Sequence, residues 1–204
     1  MNYIRDIYNW VLSLANRPNS VKALGGIAFA EASFFPIPPD LLLIPLALGD
    51  RNKSIYFGLT CTLFSVLGGV VGYFIGSWLW WGLNGEFSIF ANFFFKNIPG
   101  LNIETFYNVK ELYDQYNFLI IFTAGFTPIP FKLFTISAGA FNINFALFLL
   151  ASLISRGGRF MLLSILIKIY GHPIKDFIDK YFNILAITFT VLLFGGFYLI
   201  KFIF

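Results

Sequence analysis

From Ala23 to Gly49 the chain is apolar apart from Glu31 and Asp40, and between these acids it runs Phe34-Phe35-Pro36-Ile37-Pro38-Pro39. Proline lacks a backbone donor and disfavours helix in the residue before it, so this segment cannot be one continuous helix. Its hydrophobicity belongs in lipid, yet lipid cannot satisfy the carbonyls that the prolines free. Such backbone is tolerated at membrane depth only where protein packs around it or water reaches it. The chain must therefore surround this turn with the rest of itself, and a helical hairpin with its tip at Pro36, Pro38 and Pro39 satisfies that demand.

The remaining sequence supports a membrane setting. Charged residues make up 12% of the chain, about half the share of a soluble domain. A span needs about 20 predominantly apolar residues. Residues 54–84 and 181–203 qualify, and 142–169 qualifies despite two arginines. The expected organisation is a single all-α integral membrane domain of seven parts. An interfacial helix over 1–22 comes first, then a re-entrant hairpin over 23–49, a span over 54–84 and an amphipathic connector over 86–116. A second re-entrant hairpin over 117–140 and spans over 142–169 and 181–203 complete it. Phe87, Phe90, Phe94, Ile103, Phe106, Tyr107 and Tyr113 of the connector suit surface helices dipping into headgroups, and Trp78, Trp80 and Trp81 suit interfacial anchors. Gly68, Gly69, Gly72 and Gly76 share one face of the first span, as close helix packing requires. Cys61 has no second cysteine to pair with and reads as a small buried hydrophobe.

The second hairpin copies the first. Sliding residues 31–48 by 92 positions onto 123–140 matches Ala32 with Ala124, Phe34 with Phe126 and Pro36-Ile37-Pro38 with Pro128-Ile129-Pro130. Leu41 then falls on Leu133 and Ile44 on Ile136. Asp40 falls on Lys132, so the charged position is kept and its sign reversed. Matching interruptions in two halves of a chain are the sequence pattern of a transporter whose site lies at the bilayer midplane. With either hairpins or full crossings, eight basic residues fall on the N-terminal side and three on the other, which places the N-terminus in the cytoplasm.

Five ionisable residues lie inside the apolar intervals: Glu31, Asp40, Lys132, Arg156 and Arg159. Exposed singly to hydrocarbon, each costs about 2.5–3.5 kcal/mol on insertion scales. They are expected to face one another or water. Arg156 and Arg159 are three residues apart and share a helix face, with Gly157-Gly158 between them leaving room for another backbone or a ligand. One reading makes the five a purely structural set of ion pairs. The other starts from the imbalance, because two acids cannot neutralise three bases and a positive site remains. Arginine's donor fork suits a phosphate, and Lys132 adds a point charge. Burial favours the neutral form of a carboxyl, so Glu31 or Asp40 is a candidate proton carrier.

Nucleic acid is an unsuitable partner, because the basic residues are scattered between spans. Catalysis has little to work with: the single histidine, His172, lies at the end of a span, and no metal-ligand cluster is visible. No catalytic residue, metal or cofactor is assigned.

Taken together, the proline turn between Glu31 and Asp40 and the run Thr127-Pro128-Ile129-Pro130-Phe131-Lys132 leading to Ala138-Gly139 resemble the DedA family, also called the VTT or SNARE-associated family. Ser155-Arg156-Gly157-Gly158-Arg159-Phe160 is most similar to its YqaA-type branch. The resemblance covers about residues 23–170. It implies two re-entrant hairpins of inverted topology meeting in mid-membrane, a bacterial inner (plasma) membrane location and a role in membrane homeostasis. Its bacterial members include transporters of a lipid-linked phosphate driven by the proton gradient. Glu31 and Asp40 match the family's acidic positions. The second hairpin departs from the pattern, with Gly125 and Phe131 where the family places arginines. The expected function is thus a transporter or flippase of a lipid-linked or phosphate-bearing anion, with membrane lipids and protons as partners and a homo-oligomer left open. The alternatives are a non-catalytic membrane scaffold or biogenesis protein and, further off, an integral membrane lipid phosphatase.

Overall fold

The structure, a computed structural model, describes residues 18–35, 37–97, 102–127, 130–171 and 173. The expected interfacial helix up to residue 17, the expected span over 181–203, Pro36, Pro128 and His172 lie outside the described residues. Among the described residues the fold is all-helical apart from one isolated bridge between Trp81 and Phe87.

Seven α-helices follow one another among the described residues: α1 (Ser20–Ser33), α2 (Asp40–Gly49), α3 (Ser54–Trp80), α4 (Ile89–Asn97), α5 (Ile103–Phe126), α6 (Phe131–Ala140) and α7 (Phe145–Tyr170). Their ends carry recognisable signals. The Asn102 and Asn144 side chains accept from Thr105 N at 2.7 Å and Leu147 N at 3.0 Å, capping α5 and α7. At the other end of α7, Gly171 adopts a φ of 68°. There the Arg51 guanidinium donates to the Lys168 and Ile169 carbonyls, both at 2.7 Å, so a cation closes the negative end of the helix. Next to it, Asp50 bonds Lys53 in the short 3₁₀ turn Arg51–Lys53, and this contact holds its carboxyl below the usual value.

Two helices among the described residues, α3 with its preceding turn and α7, are long and apolar enough to cross a membrane. They lie antiparallel. Ser54 Oγ donates to the Ser164 carbonyl near one end and Tyr73 Oη to the Ile143 carbonyl near the other, each at 2.6 Å. Both hairpins fold back partway along this pair, from opposite ends. In the first, α1 runs parallel to α3, with Gly25 against the Phe64 ring and Gly68 against the Phe29 carbonyl. It ends opposite Gly72, about two thirds of the way along α3. The chain then returns, and Arg51, just beyond α2, reaches the C-terminal end of α7. In the second hairpin α5 runs parallel to α7, with Gly125 against Ser155 and Gly158 against the Phe126 ring, while α6 returns along α3. Phe106, near the start of α5, stacks on Trp80 at the far end of α3. The two tips therefore overlap near the middle of the bundle.

This arrangement relates the halves. Each first arm, α1 or α5, packs on the long helix that follows it in its own half. The second arms cross over: α6 lies on α3 of the other half, and α2 lies against both α7 and α3. Two cores result. The first is built on Leu24, Ala28, Leu42, Leu43, Cys61 and Ile167. The second is built on Ile121, Ala138, Phe148, Ala151 and Phe141.

Several expectations change in detail. The part of the connector from Ile103 onward and the first arm of the second hairpin form one helix, α5, bent at Tyr116, whose φ of −125° and ψ of 23° leave the helical region, while α4 is a separate helix. Phe106 and Tyr113 turn into the core instead of outward, because the bend brings their face against Phe141. Trp78 is 75% exposed as an anchor would be, whereas Trp80 and Trp81 pack among Phe87, Phe95 and Phe106. Gly68, Gly72 and Gly76 do meet neighbouring backbone, at Phe29, Ala32 and Ile136. Gly157 and Gly158 do not: a Cβ there would only touch the Thr62 methyl and the Phe126 ring, at 3.4 Å each.

Candidate functional site

Where the tips overlap, α7 presents Arg156 and Arg159, and each meets one acid. Arg156 Nη2 pairs with Glu31 Oε2 at 2.5 Å, and Arg159 Nη2 pairs with Asp40 Oδ2. The pairing follows from position. Glu31 is on the deep end of α1 beside the middle of α3, and Asp40 opens α2 on the returning limb, so one turn of α7 spans both.

The Glu31–Arg156 pair is closed on every side. Arg156 is 2% exposed and Glu31 6%. Arg156 Nε donates to Ser65 Oγ of α3 at 2.7 Å. Its guanidinium carbon lies 5.1 Å from the Phe131 ring centre and 4.6 Å from that of Phe160. Phe131 belongs to the second core and Phe160 to the first, so this cation sits between the two and uses an aromatic ring of each. Glu31 Oε1 in turn accepts from Phe131 N, the first residue of α6, at 3.4 Å, which sets a carboxylate at the positive end of that helix. In the repeat Asp40 occupies the first position of α2, while α6 carries Lys132 near its start. The acid that α6 lacks comes from the other half.

The Asp40–Arg159 pair is more open, with side chains 16% and 13% exposed. Arg159 Nη1 also donates to the Thr127 carbonyl at the tip of the second hairpin. Asp40 Oδ1 is buried and finds no hydrogen-bond partner among the described residues.

Lys132 departs from expectation. Its Nζ donates to the Phe34 carbonyl at 3.3 Å, and among the described residues no carboxylate lies within ion-pair distance. The physical reason is competition: an arginine fork binds a carboxylate and a carbonyl together, so both acids go to α7. Lys132 and Arg159 instead answer the question the prolines raise. They satisfy carbonyls at the two hairpin tips, Phe34 and Thr127, which lie one step apart in the aligned repeat. Pro38, Pro39 and Pro130 are placed at these turns, with Pro39 at φ −67° immediately before α2 and Pro130 immediately before α6.

Further contacts tie the hairpins to each other and to α3. Thr135 Oγ1 donates to the Ala32 carbonyl and Ser33 Oγ to the Gly68 carbonyl, at 3.0 and 2.9 Å. Sequence reasoning missed Ser65, Phe131 and Phe160 as partners of the charged layer, and Thr135 as a tie between the hairpins. Phe160 alone carried a signal, since it lies four residues after Arg156 on the same helix face.

Among the described residues the fold and site define an all-helical protein with two helices long and apolar enough to cross a membrane and, between two interlocked hairpins, a pair of buried or half-buried arginine–carboxylate bridges. Two bacterial sequences are similar along most of their length. One is an uncharacterized protein of Haemophilus influenzae, 29% identical over 203 residues, covering 98% of this chain and 100% of that one. The other is the Histophilus somni "Uncharacterized protein HI0703 homolog", 30% identical over 173 residues, covering 80% of this chain and 81% of that one. The chain belongs to the family of the Histophilus somni protein. No family model matches it, and no solved structure does.

Proposed function

We propose that the protein is an integral membrane transporter or flippase for a lipid-linked or phosphate-bearing anion, coupled to protons, in the manner of the DedA family that its sequence resembles. The observation that carries this reading is the charged layer itself. Two acids and two arginines sit where two proline-broken hairpins overlap, midway along a helix pair of about 40 Å at 1.5 Å per residue. Charged groups at such depth serve as ion or substrate paths by default. Membrane immersion is supported by the jacket of exposed side chains on α3 and α7, including Leu59, Leu63, Leu67, Leu150, Ile154 and Leu162. A soluble surface rarely carries so continuous an apolar area. The hairpins are then re-entrant from opposite faces, and the arginines of α7 supply positive charge beside Phe131 and Gly125, where the resemblance leads one to look for arginine on the hairpin.

The test is flipping of labelled polyprenyl phosphate and glycerophospholipid in vesicles holding the purified protein, with and without a pH gradient. The wild type is expected to flip a phosphate-bearing lipid faster when the gradient is present. Flipping no faster than in protein-free vesicles, for every lipid tried, overturns the proposal. Topology is checked separately by placing cysteine at exposed Asn52 or Lys96 in a Cys61→Ala background. An impermeant maleimide added outside is expected to label position 96 and spare position 52, and full crossings would reverse the two.

A further inference from the structure

The two arginines are not equivalent, and their difference assigns them separate roles within the transport reading, on which this inference rests. Arg156 is the more enclosed of the two, with its side chain 3% exposed against 13% for Arg159. One nitrogen is on Glu31, another is on Ser65, and aromatic rings approach the guanidinium from two helices. Glu31 is equally committed, with one oxygen on Arg156 and the other on Phe131 N. To bring a substrate oxygen to Arg156 would mean opening the packing of α1, α6 and α7 around a buried ion pair and moving the Phe131 or Phe160 ring aside. Arg159 is different. It touches one carboxylate and one tip carbonyl, and both partners of the ion pair are partly open to the surroundings. Its acid is held through a single oxygen, because Asp40 Oδ1 is buried without a partner among the described residues.

We propose that Arg159 alone exchanges its carboxylate for the anionic group of the substrate, a phosphate monoester head group, so that Asp40 and the phosphate are alternative occupants of one guanidinium. Glu31–Arg156 is the fixed strut on which this exchange turns. The Arg159 fork can hold two phosphate oxygens as it holds Asp40 and Thr127. Departure of Asp40 frees the start of α2, and release of the Thr127 carbonyl frees the tip of the second hairpin, so one swap loosens both. When Asp40 is bound, the site is closed to the anion. The affinity measured for a phosphate is thereby lowered by the fraction of molecules in which Arg159 is already taken.

The experiment uses the full chain in dodecyl maltoside, with decyl phosphate as probe, decyl phosphocholine as control and size-exclusion profiles to confirm folding. Wild type is expected to bind decyl phosphate in preference to the control. Asp40→Asn should bind it at least about tenfold tighter, as removal of a competing partner predicts. Arg159→Gln should lose binding; should that variant not fold, Arg159→Lys keeps the charge without the planar fork and should bind about tenfold more weakly. Decyl phosphate affinity unchanged in the folded Arg159 variant, or unchanged in Asp40→Asn, overturns the assignment while leaving transport intact. Wild-type protein with no preference for decyl phosphate over the control overturns the transport reading, and the assignment with it.

Discussion

Replacing Arg156 by alanine will destabilise the protein by about 3–5 kcal/mol, the cost of leaving a buried charge without its partner. Glu31 cannot turn to solvent, because it is 6% exposed and its other oxygen is tied to Phe131 N. The truncation also empties the space between Phe131 and Phe160. Glu31→Ala will have a similar effect, since it strands the guanidinium. The double variant Glu31→Met, Arg156→Met separates energy from function. It removes both charges while keeping apolar volume, and such replacements of a whole buried pair are often neutral or stabilising. It should recover most of the lost stability in a reversible unfolding titration in mixed micelles. Transport should be lost in that variant if the strut positions Arg159. A double variant no more stable than either single one would mean that the pair itself contributes net stability.

Gly139→Leu will be the most damaging change outside the charged layer, costing about 3 kcal/mol or more, at the upper end of over-packing effects. A Cβ at Gly139 runs into the Tyr73 carbonyl, and one at Gly76 runs into that of Ile136. Both obstacles are backbone, which cannot rotate aside as a side chain can, so α3 and α6 must move apart. Because Thr135 Oγ1 bonds the Ala32 carbonyl, the movement reaches α1 and Glu31. Gly26 is the control: nothing lies within 4 Å of a Cβ there, and Gly26→Ala should be neutral or stabilising by up to about 1 kcal/mol through helix propensity. The same unfolding titration checks both. Equal midpoints for Gly139→Leu and wild type would show that α3 and α6 do not touch as described.

Much of this was legible because it depends on local chemistry. Pro36, Pro38 and Pro39 in close succession disfavour helix, and the structure breaks the helix between Ser33 and Asp40, whereas the single Pro45 is carried inside α2. The repeat places a second break 92 residues later, and α2 and α6 both emerge as ten-residue helices after it. The glycines of α3 predict close approach, and backbone does approach Gly68, Gly72 and Gly76. The partners were not legible. A search by charge treats Lys132, Arg156 and Arg159 as interchangeable, and nothing local distinguishes the lysine that reaches the Phe34 carbonyl from the arginines that take the acids. Ser65 looked like any serine of an apolar span until the crossing of α3 and α7 brought it to Arg156 Nε.

The sequence by itself therefore determined that the chain turns at the two proline clusters, that the two halves are related, and that five ionisable groups in apolar segments must find partners or water. These follow from proline geometry and from the cost of burying charge, which hold at any position in space. Tertiary structure alone decided which acid meets which arginine, that Phe131 and Phe160 flank one cation, and that Asp40 is held through a single oxygen. Those depend on the relative depth of hairpins joined by α3 and α7, and that depth is set by packing between residues far apart in the chain, 35 positions for Ser33 and Gly68 and 125 for Glu31 and Arg156.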